Sequence, residues 1–260
     1  MFKLNSRLLK AKVIKRPSAT CKSPYVADII LCEDEHNNDT EITYMAHAPS
    51  LGCSGMVARD KYVYVIKNEN MKKDAKCVYT IYIAHDENNN IVGVHPKVSE
   101  KLIHSTLHNN IMFSMKNLKS ITPEVKIEDS RFDFVVYDKN NIKTIIEVKN
   151  VPLVHSNVVS YFPEGYRKKK GEPVSPRAVK HIKSLTQLKR DNGNDIRCVM
   201  FYVIQRNDSM IFEPSDTDPI YKEAFYEAVD AGVEIYPCKY VWDIKNATCS
   251  FKSLITYKVK

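Results

Sequence analysis

Hydrophobic and polar positions change their spacing along this chain, and the change divides it in two. Up to residue 90 the apolar residues come in short runs: Leu8 to Ile14, Tyr25 to Cys32, Glu41 to Met45, Lys61 to Lys67 and Cys77 to Ala84. Short strands with turn-rich links predict a small all-β, OB-like barrel over 1–90. His85 to Asn90 is a polar turn and marks the expected boundary. Beyond it the apolar spacing lengthens. Val98, Leu102, Ile103 and Leu107 fall on one side of a helix over Pro96 to Leu107. A strand is expected at Glu124 to Ile127, and Val151 to Tyr166 reads as irregular. Ser175 as N-cap and Pro176 at the first helical position start a helix that runs to about Arg190, with Gly193 in its stop signal. Cys198 to Gln205 is nearly all apolar, as a strand covered on both faces must be. A helix over Pro219 to Ala231 and a strand over Val233 to Cys238 follow. Residues 91–260 therefore predict an α/β domain, a mixed sheet with flanking helices.

At the centre stands Arg131 to Val151, two strands joined by the turn Asp138-Lys139-Asn140-Asn141. Phe132, Phe134 and Val136 alternate with Arg131, Asp133 and Val135. In the second strand Ile142, Thr144, Ile146 and Val148 share one face, and Lys143, Ile145, Glu147 and Lys149 the other. Glu147 and Lys149 thus project side by side, and antiparallel pairing would bring Asp133 near them. Two carboxylates and a lysine so arranged can hold a hard divalent cation such as Mg²⁺ or Mn²⁺ and orient an attacking water. An ion pair at a strand end leaves the same local pattern, and these residues alone leave both readings open.

Charge adds a partner class. The 260-residue chain carries a net charge of +8, which favours polyanions, nucleic acid first. Lys10, Lys12, Lys15, Arg16, Lys72, Lys73 and Lys76 punctuate the predicted barrel, beside Tyr62, Tyr64, Tyr79 and Tyr82; these residues either form a groove with stacking platforms for a single strand or are barrel-filling tyrosines and solvated cations, and the pattern leaves both open. Farther on, Arg167-Lys168-Lys169-Lys170 is a basic loop. On the helix after Ser175 the apolar stripe is Val179, Ile182, Leu185 and Leu188, which leaves Arg177, Lys180, His181 and Ser184 mainly toward the other side, as candidate phosphate contacts. The 7 cysteines form no C-x-x-C pair and read as free thiols of a reducing compartment. The first residues lack the apolar segment of a secretory signal, and no run reaches the length of a membrane span. An intracellular, non-membrane protein is expected; oligomeric state is left open.

S-R-F-D-F at 130–134, I-E-V-K-N-V at 146–151, Y-F-P-E at 161–164, R-x-x-K-H at 177–181 and A-G-V-E-I at 231–235 occur in order. K-V-I-K-R at 12–16, Y-V-A-D at 25–28 and P-S-L-G at 49–52 precede them. Together they resemble the sugar fermentation stimulation protein family over nearly the whole chain. The resemblance implies an OB-like N-terminal domain, a restriction-endonuclease-like domain with a PD-(D/E)-x-K site, and DNA binding. Carried over by position, Asp133 is the first acid, Glu147 the second and Lys149 the lysine, with Glu124 as a possible accessory acid. The chain departs from the family where P-N-T-G becomes Pro49-Ser50-Leu51-Gly52, where F-P-D ends in Glu164, where R-G becomes Arg177-Ala178, and in a longer link from Tyr166 to Ser175.

The expectation is a DNA-binding protein, largely indifferent to sequence, with a Mg²⁺- or Mn²⁺-dependent phosphodiesterase site. Asp133 and Glu147 are its expected metal ligands. Arg16, Arg167, Lys168, Lys169, Arg177, Lys180 and His181 are its expected nucleic-acid contacts. A non-catalytic DNA-binding regulator that keeps the nuclease fold is the alternative, and an RNA-processing enzyme the third class.

Overall fold

A computed structural model of the chain describes residues 1–32, 42–50, 53–69, 74–155, 158–165, 169 and 171–259. Of the residues singled out above, Glu41, Leu51, Gly52, Lys72, Lys73, Tyr166, Arg167, Lys168 and Lys170 lie outside that set. The N-terminal strands are β1 (Phe2–Lys3), β2 (Leu9–Lys15), β3 (Val26–Leu31), β4 (Thr43–His47), β5 (Tyr62–Lys67), β6 (Tyr79–His85) and β7 (Ile91–Gly93). β2 pairs antiparallel with β3 and β5, β3 with β4, and β5 with β6. A parallel pairing of β4 with β6 closes these five strands into an OB-like barrel. Alternation along each strand turns Ala11, Val13, Ala27, Ile29, Val63, Val65 and Ile81 inward. β7 pairs with β6, so Asp86 to Asn90 is a hairpin turn within the barrel sheet, not its end. β1 belongs elsewhere: Phe2 pairs with Cys249 in the C-terminal sheet.

The rest of the chain forms α1 (Pro96–His108), β8 (Leu118–Ile127), β9 (Ser130–Asp138), β10 (Lys143–Asn150), β11 (Val154–His155), β12 (Val159–Phe162), α2 (Pro176–Asn192), β13 (Ile196–Ile204), β14 (Ile211–Pro214), α3 (Pro219–Asp230), β15 (Glu234–Asp243), β16 (Thr248–Leu254) and β17 (Thr256–Tyr257). A seven-stranded sheet runs β1-β16-β15-β13-β10-β9-β8. α2 and α3 are crossover connections, so β10, β13 and β15 lie parallel, while β8–β9–β10 and β15–β16 are antiparallel. The expected mixed sheet is therefore present. α1 covers one face, where Val98, Leu102, Ile103 and Leu107 meet Phe134, Val136, Ile146 and Val148. α2 and α3 cover the other, against Val135, Ile145, Met200 and Tyr202.

Part of the stretch expected to be irregular is strand. β11 and β12 join β14 and β17 in a small sheet on the α2–α3 side, where Phe162 and Phe212 pack on Tyr202. Strands of two and four residues are too short to show a period. Among the described residues no helix is long and apolar enough to cross a membrane.

Barrel and sheet are fused through a common core and a polar hub. Ile66 and Ile83 of the barrel enter the α1-side core. Gly93 N–H donates to the Gln205 carbonyl at 2.9 Å, and the Asn150 side-chain amide to the Gly93 carbonyl at 3.2 Å. Asn150 Oδ1 accepts from Ser99 Oγ (2.9 Å) and Gln205 Nε2 (2.8 Å), and Gln205 Oε1 accepts from Trp242 Nε1 (3.0 Å). A buried network whose members are satisfied holds one arrangement. Asn150 directly follows Lys149, so the barrel is anchored at the end of β10.

Candidate active site

The central hairpin pairs antiparallel, and its last registered pair is Ile146 with Phe134. Beyond that pair β9 peels away from β10. The next inward-facing donor, Val148 N–H, is taken by Asp133 Oδ2 at 2.7 Å. The carboxylate thus replaces a strand partner where the ladder stops, and that places it beside Glu147. Phe132, which parity would send to the α1 side, packs in the α2–α3 core instead, past the same divergence.

Glu147 is 2% exposed. Its Oε1 meets two groups, Lys149 Nζ from the same strand and His181 Nδ1 from α2, while Oε2 is buried with no partner. Burial works to raise the pKa of this carboxyl, but the Lys149 charge and the His181 hydrogen bond outweigh it and hold Glu147 below the ordinary value. An ionised carboxylate only accepts, so His181 is the donor. Asp133 behaves oppositely. Burial first, then the charge of Glu147, push it up to about 7, and Lys149 and the Val148 amide offset this only in part. Glu100 on α1, half-buried and paired with Lys97, raises it further; the sequence analysis did not single it out, since nothing in its local pattern sets it apart from other helix glutamates.

These donors fit a hard divalent cation. A buried carboxylate oxygen without a partner and two carboxylates that repel each other are both relieved by one such ion. Among the described residues no group of three His, Cys, Asp or Glu side chains is arranged to ligate a metal. Water and substrate oxygens would complete the shell, as is usual for Mg²⁺.

The other expected residues divide. Arg177 is exposed near the start of α2, where Ser175 Oγ caps the helix by accepting from Ala178 N–H. Lys180 is exposed and donates to the Asp129 carbonyl at 2.6 Å. Lys169 is exposed and pairs loosely with Glu172 at 3.7 Å. Arg167 and Lys168 lie outside the described residues. Glu124 is ion-paired with Lys97 at 2.7 Å, and Arg131 and Arg177 stand near enough to lower its pKa further. It sits among cations, and Lys97 links it to Glu100 at 2.9 Å.

Two expectations need correction. His181 is not on the exposed face of α2; it is buried against Glu147. Its spacing gives the reason: it stands three residues after Ala178 and four before Leu185, on a buried arc wider than the four-residue stripe because α2 packs on both the sheet and α3. Arg16 is half-buried, and its guanidinium donates to the carbonyls of Pro24, Val57 and Ser50. It braces barrel loops and has few donors left for phosphate. Nearby, Glu164 accepts from Ser50 Oγ (2.9 Å) and Cys53 N–H (3.0 Å), which ties the barrel loop to the segment after β12. Ser50 and Glu164, 114 residues apart in the chain, thus touch in the fold.

An OB-like barrel fused to a mixed sheet, with helices on both faces and two acids and a lysine where adjacent strands part, defines a restriction-endonuclease-like protein. The family model described as "Sugar fermentation stimulation protein RE domain" matches residues 97–246. The sugar fermentation stimulation protein homolog of Jannaschia sp. (strain CCS1) is 30% identical over 215 residues, 81% of each chain. That of Pelagibacter ubique (strain HTCC1062) is 30% identical over 237 residues, 89% of this chain and 90% of that one. The structure of Pyrococcus furiosus SfsA in complex with Ca²⁺ superposes with a TM-score of 0.80 at 17% identity, covering 100% of both chains. The chain belongs to the sugar fermentation stimulation protein family.

Proposed function

We propose that this protein binds DNA without strong sequence preference and hydrolyses its phosphodiester bonds with Mg²⁺ or Mn²⁺. The observation that carries the reading is the buried, unpartnered Oε2 of Glu147 beside a second carboxylate. Asp133 and Glu147 would hold the cation. Bound there, the ion would lower the pKa of a water molecule and offset charge gathering on the phosphoryl oxygens. Lys149 lies next to these acids with its side chain 14% exposed, which lets its ammonium reach water or a phosphate oxygen from a mostly dry setting. Arg177, Lys180 and Lys169 are exposed cations suited to the phosphate backbone. The relative from Pyrococcus furiosus was solved with Ca²⁺, another oxygen-seeking divalent ion, which supports divalent-cation binding by this chain as well. The free cysteines support a reducing, intracellular setting.

A second reading, a DNA-binding regulator without catalysis, has its own observation. The Lys149–Glu147 ion pair and the Asp133–Val148 bond already occupy three of the site's polar groups. One experiment separates the two. Labelled single- and double-stranded DNA and RNA are incubated with wild type and with Glu147→Gln, with and without Mg²⁺ or Mn²⁺. The nuclease reading expects cation-dependent cleavage by wild type only, with metal-free DNA binding retained in the variant, which has lost a charge repulsive to phosphate. Intact substrates in every wild-type reaction refute it in favour of the regulator.

A further inference from the structure

Lys149 and His181 meet the same oxygen of Glu147, and they are not equivalent partners. Lys149 carries its ammonium on a flexible stem two residues along the same strand, so it can follow either carboxylate oxygen. The imidazole of His181 cannot. It is 5% exposed, projects from the buried arc of α2, and its ring centre lies 6.1 Å from that of Phe132. Among the described residues it is the rigid donor to Glu147. By engaging Oε1 it leaves Oε2 buried and unpartnered, an arrangement a carboxylate avoids unless another ligand is meant to come.

We propose that His181 is a positioning residue that sets the orientation of Glu147, holding Oε1 toward Lys149 and reserving Oε2 for the cation. This rests on the metal-site reading above. Two consequences follow from the geometry. The cation meets a pre-turned oxygen instead of a carboxylate free to offer both oxygens to Lys149. And when Lys149 leaves Glu147 to reach water or phosphate, Oε1 keeps a hydrogen bond, so the lysine is released at lower cost. The histidine needs no contact with nucleic acid for either role.

The test measures cation binding by the whole protein, without nucleic acid, so that it does not depend on turnover. Mn²⁺ is titrated calorimetrically into wild type, His181→Phe, which keeps a ring but removes the donor, and His181→Asn, whose amide can put an N–H near the position of Nδ1. Loss of a partner that orients a metal ligand typically weakens metal binding by about 10- to 100-fold. That loss is expected for the Phe variant, with most of the affinity restored by Asn. Thermal unfolding in chelator is read alongside, since a merely structural role would lower Tm and leave the affinity in place. Equal affinity in wild type and the Phe variant overturns the role. So does a loss that Asn does not restore while both variants remain folded. Absence of Mn²⁺ binding by wild type overturns the metal-site reading and this role with it, a pattern distinct from the first. Wild type alone supplies a check that needs no variant. The ring ¹⁵N shifts of labelled His181 should report a protonated Nδ1 with and without Mg²⁺; a bare Nδ1 overturns the proposal.

Discussion

Replacing Asp133 by Asn should stabilise the cation-free protein, and the gain should grow with pH. In the fold this carboxyl is buried beside Glu147, which pushes its pKa from 3.8 up to about 7. Between those values the folded chain holds a proton that the unfolded chain has released. The stability tied to that proton is fully present below about pH 3.8 and is lost as pH rises through about 7. At about 1.4 kcal/mol for each tenfold change in proton affinity, the rise from 3.8 to about 7 corresponds to a few kcal/mol, most of it between pH 5 and 8. Asparagine keeps the shape, and its Oδ1 can still accept from Val148 N–H, so the substitution removes chiefly the charge. Urea unfolding of both proteins in EDTA across that pH range is the assay, and the difference between them cancels the groups they share. It should widen by about 2 to 3 kcal/mol toward pH 8. Saturating Mn²⁺ should then recover wild type and not the variant, by about 2.7 kcal/mol at a hundredfold excess over Kd. A difference that stays constant from pH 5 to 8 would refute the reasoning, because the Asp133 carboxyl would then titrate alike in both states.

Gly93→Ala should cost about 3 kcal/mol, because an added Cβ would stand 2.3 Å from Gln205 Oε1 and 2.7 Å from its Cβ, and overpacking of this kind strains its surroundings. The urea midpoint should fall with an unchanged slope; a loss below about 1 kcal/mol would mean that the hub around Gln205 yields easily. Arg177→Ala with Lys180→Ala should weaken DNA binding and flatten the dependence of log K on log salt by about one unit for each phosphate no longer neutralised. An unchanged salt slope would put the DNA on another surface.

Strand parity by itself determined that Glu147 and Lys149 share a face, because side-chain direction alternates at every residue whatever a strand packs against. The limits of α2 were equally local: Ser175 caps the helix through its own side chain and Gly193 ends it with φ at +52°. Composition and charge supplied an expectation about the class of partner, since neither depends on how the chain folds. Tertiary structure alone decided the rest of the site. Asp133 reaches Glu147 because β9 leaves β10 after the Phe134–Ile146 pair, and the freed Val148 N–H draws in the acid. Arg16 turns inward because three carbonyls from separate loops converge on it. The first strand joins the last long one, and Asn150, Ser99 and Gln205 meet from three elements. His181 was within reach of its spacing from Ala178 and Leu185, but its partner was not. Periodicity is set within a helical turn or a strand pleat, whereas its bond to Glu147 joins residues 34 apart in the chain and exists only once α2 has docked on the sheet.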